Sequence, residues 1–184
     1  MRLILLLLAL TIAGCDRQKG PAPQDEPAAA AAEAPRSGVD RSNKGKPAPD
    51  VVFRNPDGGE ISLEQFRGVP VLVNLWATWC APCVKELPTL QALEDAQSVD
   101  GQLTVIAVSQ DMAPQAKVKA FLREKKLRDF AAFHDAEMGL SGALGVQILP
   151  TSILYDADGN EAWRYTGDLD WTGAEARELL AEAR

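Results

Sequence analysis

The sequence predicts an α/β domain built on a mixed central sheet with helices against its faces, and three observations predict it. Val71 to Trp76 and Leu103 to Val108 are apolar, β-branched runs, the character of strands buried on both sides. Between them, Pro82 to Gln97 has helical periodicity, which gives a strand–helix–strand alternation. Further on, two extended segments joined by a tight turn lead into another helical stretch, so antiparallel pairing must be added to the alternating unit.

The elements follow in order from Pro47. Val51 to Arg54 and Glu60 to Ser62 flank Asn55-Pro-Asp-Gly-Gly59, a concentration of turn formers, and read as an N-terminal hairpin. Ser62 can cap one helical turn, Leu63 to Phe66, closed by Gly68. The helix from Pro82 has Leu87, Leu90, Ala92 and Leu93 as its inward stripe, with Pro88 as a kink. Lys117 to Lys126 is an amphipathic helix with Val118, Phe121 and Leu122 facing in. Phe130 to Phe133 reads as a short strand and Glu137 to Leu144 as a helix. Thr151 to Tyr155 and Ala162 to Thr166 form a second hairpin around Asp156-Ala-Asp-Gly-Asn160, and Ala174 to Ala183 follows as a helix. No internal repeat is present.

The chain before Pro47 divides in two. Met1-Arg2 is a minimal positive start, and Leu3 to Ile12 is almost unbroken apolar sequence. That run is too short for a ~30 Å hydrocarbon core, which takes ~20 helical residues; it fits a secretory signal. Its end, Ile12-Ala13-Gly14-Cys15, resembles a bacterial lipobox. The resemblance implies that residues 1–14 are a signal peptide and that Cys15 carries a lipid anchor rather than a disulfide. Residues 15–46 are rich in Ala, Pro, charged and small residues and read as a disordered tether. Its reach as a flexible coil would be roughly 30 Å. Asp16 beside the anchor suggests retention at the inner membrane.

The 184 residues carry 46% hydrophobic and 24% charged residues, as a globular protein does, with a formal charge of −7. An acidic chain argues against a broad nucleic-acid-binding surface. The basic cluster from Lys117 to Arg128 lies on the amphipathic helix and reads as a solvated face.

The two remaining cysteines, Cys80 and Cys83, follow the first buried strand in Asn74-Leu-Trp-Ala-Thr-Trp-Cys-Ala-Pro-Cys83. Zinc needs three or four ligands, and a single His (His134) with no second cysteine pair leaves it short. A structural bridge between residues so close in sequence closes a loop too small to gain much chain entropy. Redox chemistry is the reading that remains. Cys80 stands where the loop becomes a helix, so free N–H groups and the helix dipole favour its thiolate. Pro82 suits the first turn. Cys83, one turn on, can attack the Cys80 sulfur. Cys80 is then an exposed nucleophile and Cys83 the resolving thiol.

Trp79-Cys-Ala-Pro-Cys83 after a buried strand, with Leu149-Pro150-Thr151 before a later one, resembles the thioredoxin superfamily. More closely, the chain resembles membrane-tethered extracytoplasmic thiol–disulfide oxidoreductases of the TlpA/ResA type. The N-terminal hairpin extension and a central insert between Asp111 and Leu144 match that branch. The resemblance implies a thioredoxin fold over residues 47–184 and a cis Pro150 against the cysteine pair. It also implies a substrate-binding surface of Trp79, Ala81, Pro82, Leu149 and Pro150. No metal or cofactor is expected beyond the redox-active disulfide. Asn74 stands where many thioredoxins carry a buried Asp. Glu86 matches an acid of the ResA-like branch and can accept the Cys83 proton; half of a solvated Lys85/Glu86 surface is its other reading. Gly145-Val-Gln-Ile-Leu-Pro150 departs from the Gly-Val-Tyr-Gly-x-Pro segment of cytochrome-maturation relatives.

The expected function is reduction of disulfides in client proteins, such as apocytochrome c or copper-assembly factors, on the periplasmic side of a bacterial membrane. A membrane electron donor would supply the reducing equivalents, because that space is oxidising. Two alternatives stay open: a copper-handling module and a thiol peroxidase.

Overall fold

The computed structural model describes residues 38–183; the signal segment, Cys15 and the tether as far as residue 37 lie outside them. One eight-stranded sheet organises the domain, in the order β1-β8-β7-β4-β5-β6-β2-β3. The centre is β4 (Val71–Trp76), parallel to β5 (Thr104–Ser109) and antiparallel to β7 (Thr151–Tyr155). Every residue of β4 is buried, because the sheet is covered on both faces. Leu72 and Trp76 point into a cluster with Leu87 and Leu90 of α1 (Ala81–Asp100), Val118 and Leu122 of α2 (Gln115–Glu124) and Ala176 of α4 (Ala174–Leu180). Val71, Val73 and Leu75 point the other way, onto Leu63 and onto Leu140 of α3 (Gly139–Leu144).

The hairpin of β2 (Phe53–Arg54) and β3 (Glu60–Ile61) extends the sheet beyond β6 (Phe133–His134), through the Arg54–His134 register. The insert after β5 supplies α2, β6 and α3. Within it, the strand expected at Phe130 to Phe133 is shorter: Asp129–Ala131 is a 3-10 turn, and only Phe133–His134 pairs with β5. Helix α1 runs past Pro88 to a left-handed Gly101 cap, and Ala92 is exposed rather than part of its inward stripe. Arg128 reaches back to Glu94 and Asp95 on α1, so part of the basic stretch is paired within the domain.

The tether boundary also moves. Gly38–Asp40 forms β1, antiparallel to β8 (Glu161–Thr166), although it falls in the segment read as disordered. Edge pairing draws on backbone groups, and β8 leaves a free edge there that polar residues can fill. Gly45 N–H donates to the Glu161 carbonyl and Glu161 N–H to the Lys46 carbonyl, both at 2.8 Å, which extends the attachment. Among the described residues, no helix is long and apolar enough to cross a membrane.

Candidate active site

Strand β4 delivers the chain to the site. After Ala77 the backbone turns, with the Cys80 N–H donating to the Ala77 carbonyl at 3.1 Å, and Cys80 becomes the N-cap of α1. Its extended backbone leaves its side chain facing the first helical turn, where the Cys83 N–H approaches Sγ at 3.4 Å. Such a donor would also meet a thiolate on Cys80. Pro82 occupies the first turn, where no intrahelical N–H is lost. Cys80 and Cys83 form a disulfide. Cys83 is fully buried and Cys80 is 6% exposed. The expectation of an exposed nucleophile is thus corrected in degree: Cys80 shows a sliver of surface, but it is the only one of the two that solvent reaches.

The loop before Cys80 is held by a residue that the sequence reading missed. Asp111, just past the end of β5, accepts from the Thr78 N–H at 3.0 Å and the Thr78 hydroxyl at 2.6 Å. Ser109 Oγ donates to the same carboxylate at 2.6 Å. A carboxylate directly after a buried strand was the available signal, but the Thr78 it holds comes from another strand's loop. His134, from β6, donates from Nε2 to the Asp111 carbonyl at 2.9 Å. It is buried, so a surface position is not among its roles.

On the other side, the Leu149–Pro150 peptide is cis and leads into β7. The Leu75–Thr151 register places Pro150 beside the Trp76–Ala77 end of β4, next to the cysteine loop. Around the buried disulfide the surface is apolar: Trp79 is 70% exposed, Ala81 and Pro82 are exposed, and Leu149 is half-buried. Met112 and Ile148 are exposed as well. A cavity of about 330 Å³ lies away from this surface, between the β2 edge and the His134–Gly139 segment, and no cysteine lines it.

Glu86 lies three residues beyond Cys83, on the same face of α1, and is 3% exposed. The solvated Lys85/Glu86 reading is therefore overturned. Lys85 turns outward to Asp168 at 2.8 Å, and Glu86 turns inward. Its Oε1 accepts from Asn74 Nδ2 at 2.7 Å, and its Oε2 from the Leu169 N–H at 3.1 Å and Trp171 Nε1 at 3.4 Å. Burial pushes the carboxyl up to about 7, against the opposing pull of the hydrogen bonds from Leu169, Asn74 and Trp171, with Asp168 adding a smaller push upward. Asn74 is fully buried in β4. It also donates to Ser152 Oγ at 2.9 Å, and its own Oδ1 has no partner.

The chain is similar to known proteins in sequence and in fold. Residues 43–180 match the Redoxin family. The thiol-disulfide oxidoreductase ResA of Bacillus thuringiensis is 36% identical over 124 residues, 67% of this chain and 70% of that protein. A crystal structure described as a putative thiol:disulfide interchange protein of Chlorobium tepidum superimposes with TM-score 0.66 at 23% identity, over 76% of this chain and 96% of that one. The pneumococcal exposed lipoprotein thioredoxin of Streptococcus pneumoniae gives TM-score 0.59 at 21% identity, over 72% and 99%. At those identities the two structures establish the thioredoxin fold, and the sequence matches go further: the chain belongs to the Redoxin family, as a thioredoxin-superfamily oxidoreductase of the TlpA/ResA type.

Proposed function

We propose that the chain reduces disulfides of client proteins outside the cytoplasm, held near a membrane by a lipid on Cys15. The observation that carries the reading is the pairing of a helix-capping disulfide with a buried carboxyl on the resolving cysteine's own face of α1. In the reduced state, the Cys80 thiolate attacks a client disulfide, forming a mixed disulfide and releasing one client thiolate. Cys83 passes its proton to the Glu86 carboxylate. The Cys83 sulfur then attacks Cys80 Sγ, the second client thiolate leaves, and the Cys80–Cys83 bond forms. Two electrons have passed to the client, and the Glu86 proton is available to the departing sulfur.

Trp79, Ala81 and Pro82, exposed beside half-buried Leu149, are suited to an extended protein segment laid on an open apolar surface; cis Pro150 is itself buried and would shape that surface from beneath. The name of one structural neighbour, an exposed lipoprotein thioredoxin, favours an extracytoplasmic setting. Reduction in an oxidising space needs a supply of electrons, so a membrane-embedded dithiol donor is the second partner. Apocytochromes and copper-assembly factors are the client classes the reading favours.

The test combines the equilibrium potential of the couple with trapping. A potential near that of a thioredoxin, about −270 mV, supports a reductant; one near −120 mV marks an oxidant and overturns the direction. With Cys83→Ser, clients should accumulate as mixed disulfides on Cys80. Stoichiometric copper binding without turnover, or faster oxidation of Cys80 by peroxide than by disulfides, would overturn the reading itself.

A further inference from the structure

Glu86 has three hydrogen-bond partners, and all three donate to it. That set suits a carboxylate. It does not suit a carboxylic acid, whose O–H needs an acceptor. The two donors on Oε2, a backbone N–H and an indole N–H, can never accept. The partner of Oε1 is different in kind, because a side-chain amide presents a donor from one end and an acceptor from the other.

Asn74 is arranged for that reversal. Its Nδ2 spends both hydrogens, one on Glu86 Oε1 at 2.7 Å and one on Ser152 Oγ at 2.9 Å. Its Oδ1 is a buried acceptor without a partner, an arrangement that ordinarily carries a desolvation penalty. Turning the amide over puts Oδ1 where Nδ2 now stands. A protonated Glu86 could then donate to it, and so could Ser152, since a hydroxyl serves in either role. Both contacts survive with their direction reversed, and Nδ2 becomes the unpaired end. One atom is left over in each state, so neither orientation is locked. An aspartate at this position would instead set a second carboxylate against Glu86, and two such groups do not ionise together readily.

We infer that Asn74 is a positioning residue whose side-chain amide rotates each time Glu86 gains or loses a proton, holding Oε1 in place in both states. The inference rests on the proton-acceptor role proposed for Glu86. In each turnover the proton leaves Cys83 Sγ for Glu86 Oε1, Asn74 turns to accept the new O–H, and it turns back when the proton departs. The other titratable groups about Glu86 are Cys83 on α1, Tyr165 on β8 and Asp168, which Lys85 pairs from outside. Strands β4 and β7 contribute only the neutral Asn74 and Ser152 to this contact.

The test is a pH titration by NMR of the full-length, isotopically labelled protein. It follows the Glu86 carboxyl carbon, the Asn74 side-chain amide protons, and the coupling across the hydrogen bond between Asn74 Nδ2 and that carbon. Above the Glu86 titration both amide protons should lie downfield with the coupling present. Below it, the protons should move upfield and the coupling should vanish. Coupling that persists while Glu86 titrates overturns the rotation and leaves the base intact. If Glu86 titrates but Glu86→Gln closes the internal disulfide as fast as the wild type, the proton-acceptor reading fails instead. Asn74→Leu provides a second measurement. Losing a one-way donor to the carboxylate would raise the Glu86 midpoint by about one to two pH units, whereas losing a partner of both states should move it by less than about one. A larger rise refutes the rotation.

Discussion

Replacing Glu86 by Gln should change how stability depends on pH, by an amount that follows from where the carboxyl sits. In the folded protein burial lifts it from an ordinary 4.5 to about 7. Each pKa unit corresponds to about 1.4 kcal/mol, so the displacement is worth about 3 kcal/mol. The carboxyl is raised, so the native state holds this proton over a range where the unfolded chain has released it. The favourable contribution is therefore complete below about pH 4.5 and is lost as pH rises through about 7. The amide introduced by Glu86→Gln cannot ionise. It can present its oxygen to Leu169 and Trp171 and its NH2 to a rotated Asn74, so it resembles the protonated acid at every pH. Urea unfolding of the disulfide-bonded protein and its Glu86→Gln variant should then diverge with pH. From about pH 4 to about pH 8 the variant should gain about 3 kcal/mol relative to the parent. A difference between the two that stays constant over that range would refute the assignment of a neutral, buried carboxyl.

The same carboxyl should give the closure of the internal disulfide one inflection near neutrality, with the rate rising as Glu86 ionises; stopped-flow measurements on Glu86→Gln should lose the inflection and about 100-fold in rate. Cys83→Ser should accumulate a mixed disulfide through Cys80, detectable by mass spectrometry without reductant, and Cys80→Ser should form none. Asp111→Ala would leave the Thr78 N–H and two hydroxyls without their acceptor, and should cost about 3 kcal/mol in denaturant unfolding. Trp79→Ala, at a largely exposed position, should leave stability within about 0.5 kcal/mol and raise KM for protein disulfides in steady-state assays.

What the sequence disclosed depended on whether a feature is local. The core strands β4 and β5 were legible because burial on both faces leaves continuous apolar runs. The cysteine pair was legible because a strand end and a helix start are adjacent in the chain. Other features depend on remote segments. Glu86 next to Lys85 reads equally as a proton acceptor and as solvated surface until the Leu169–Trp171 segment folds over it, with Asp168 drawing the lysine aside. Asp111 carries no mark of its hold on Thr78, which lies on a neighbouring strand's loop. Strand β1 has a single apolar side chain, and only the open edge of β8 makes it a strand. The long helix through Pro88 and the exposure of Ala92 likewise reflect packing that periodicity alone does not resolve.

The burial that destabilises ionised Glu86 is also what fits it to its proposed task. A free thiol has a pKa of about 8.5 and an ordinary Glu about 4.3, so a proton would have to climb about 6 kcal/mol to pass from one to the other. With the carboxyl at about 7 the climb is about 2 kcal/mol, within reach of a fast step. An exposed glutamate on the outer face of α1 would be a stronger acid, harmless to stability and too weak a base to matter. On the proposed role of Glu86, the closing segment around Leu169 and Trp171 therefore acts on catalysis through the carboxyl it covers. Loosening it, for instance by Trp171→Ala, should let water in and return Glu86 toward its ordinary range. The inflection in disulfide closure would then move to lower pH while the maximal rate fell, and a variant that lost stability without moving the inflection would show that burial does not set the base.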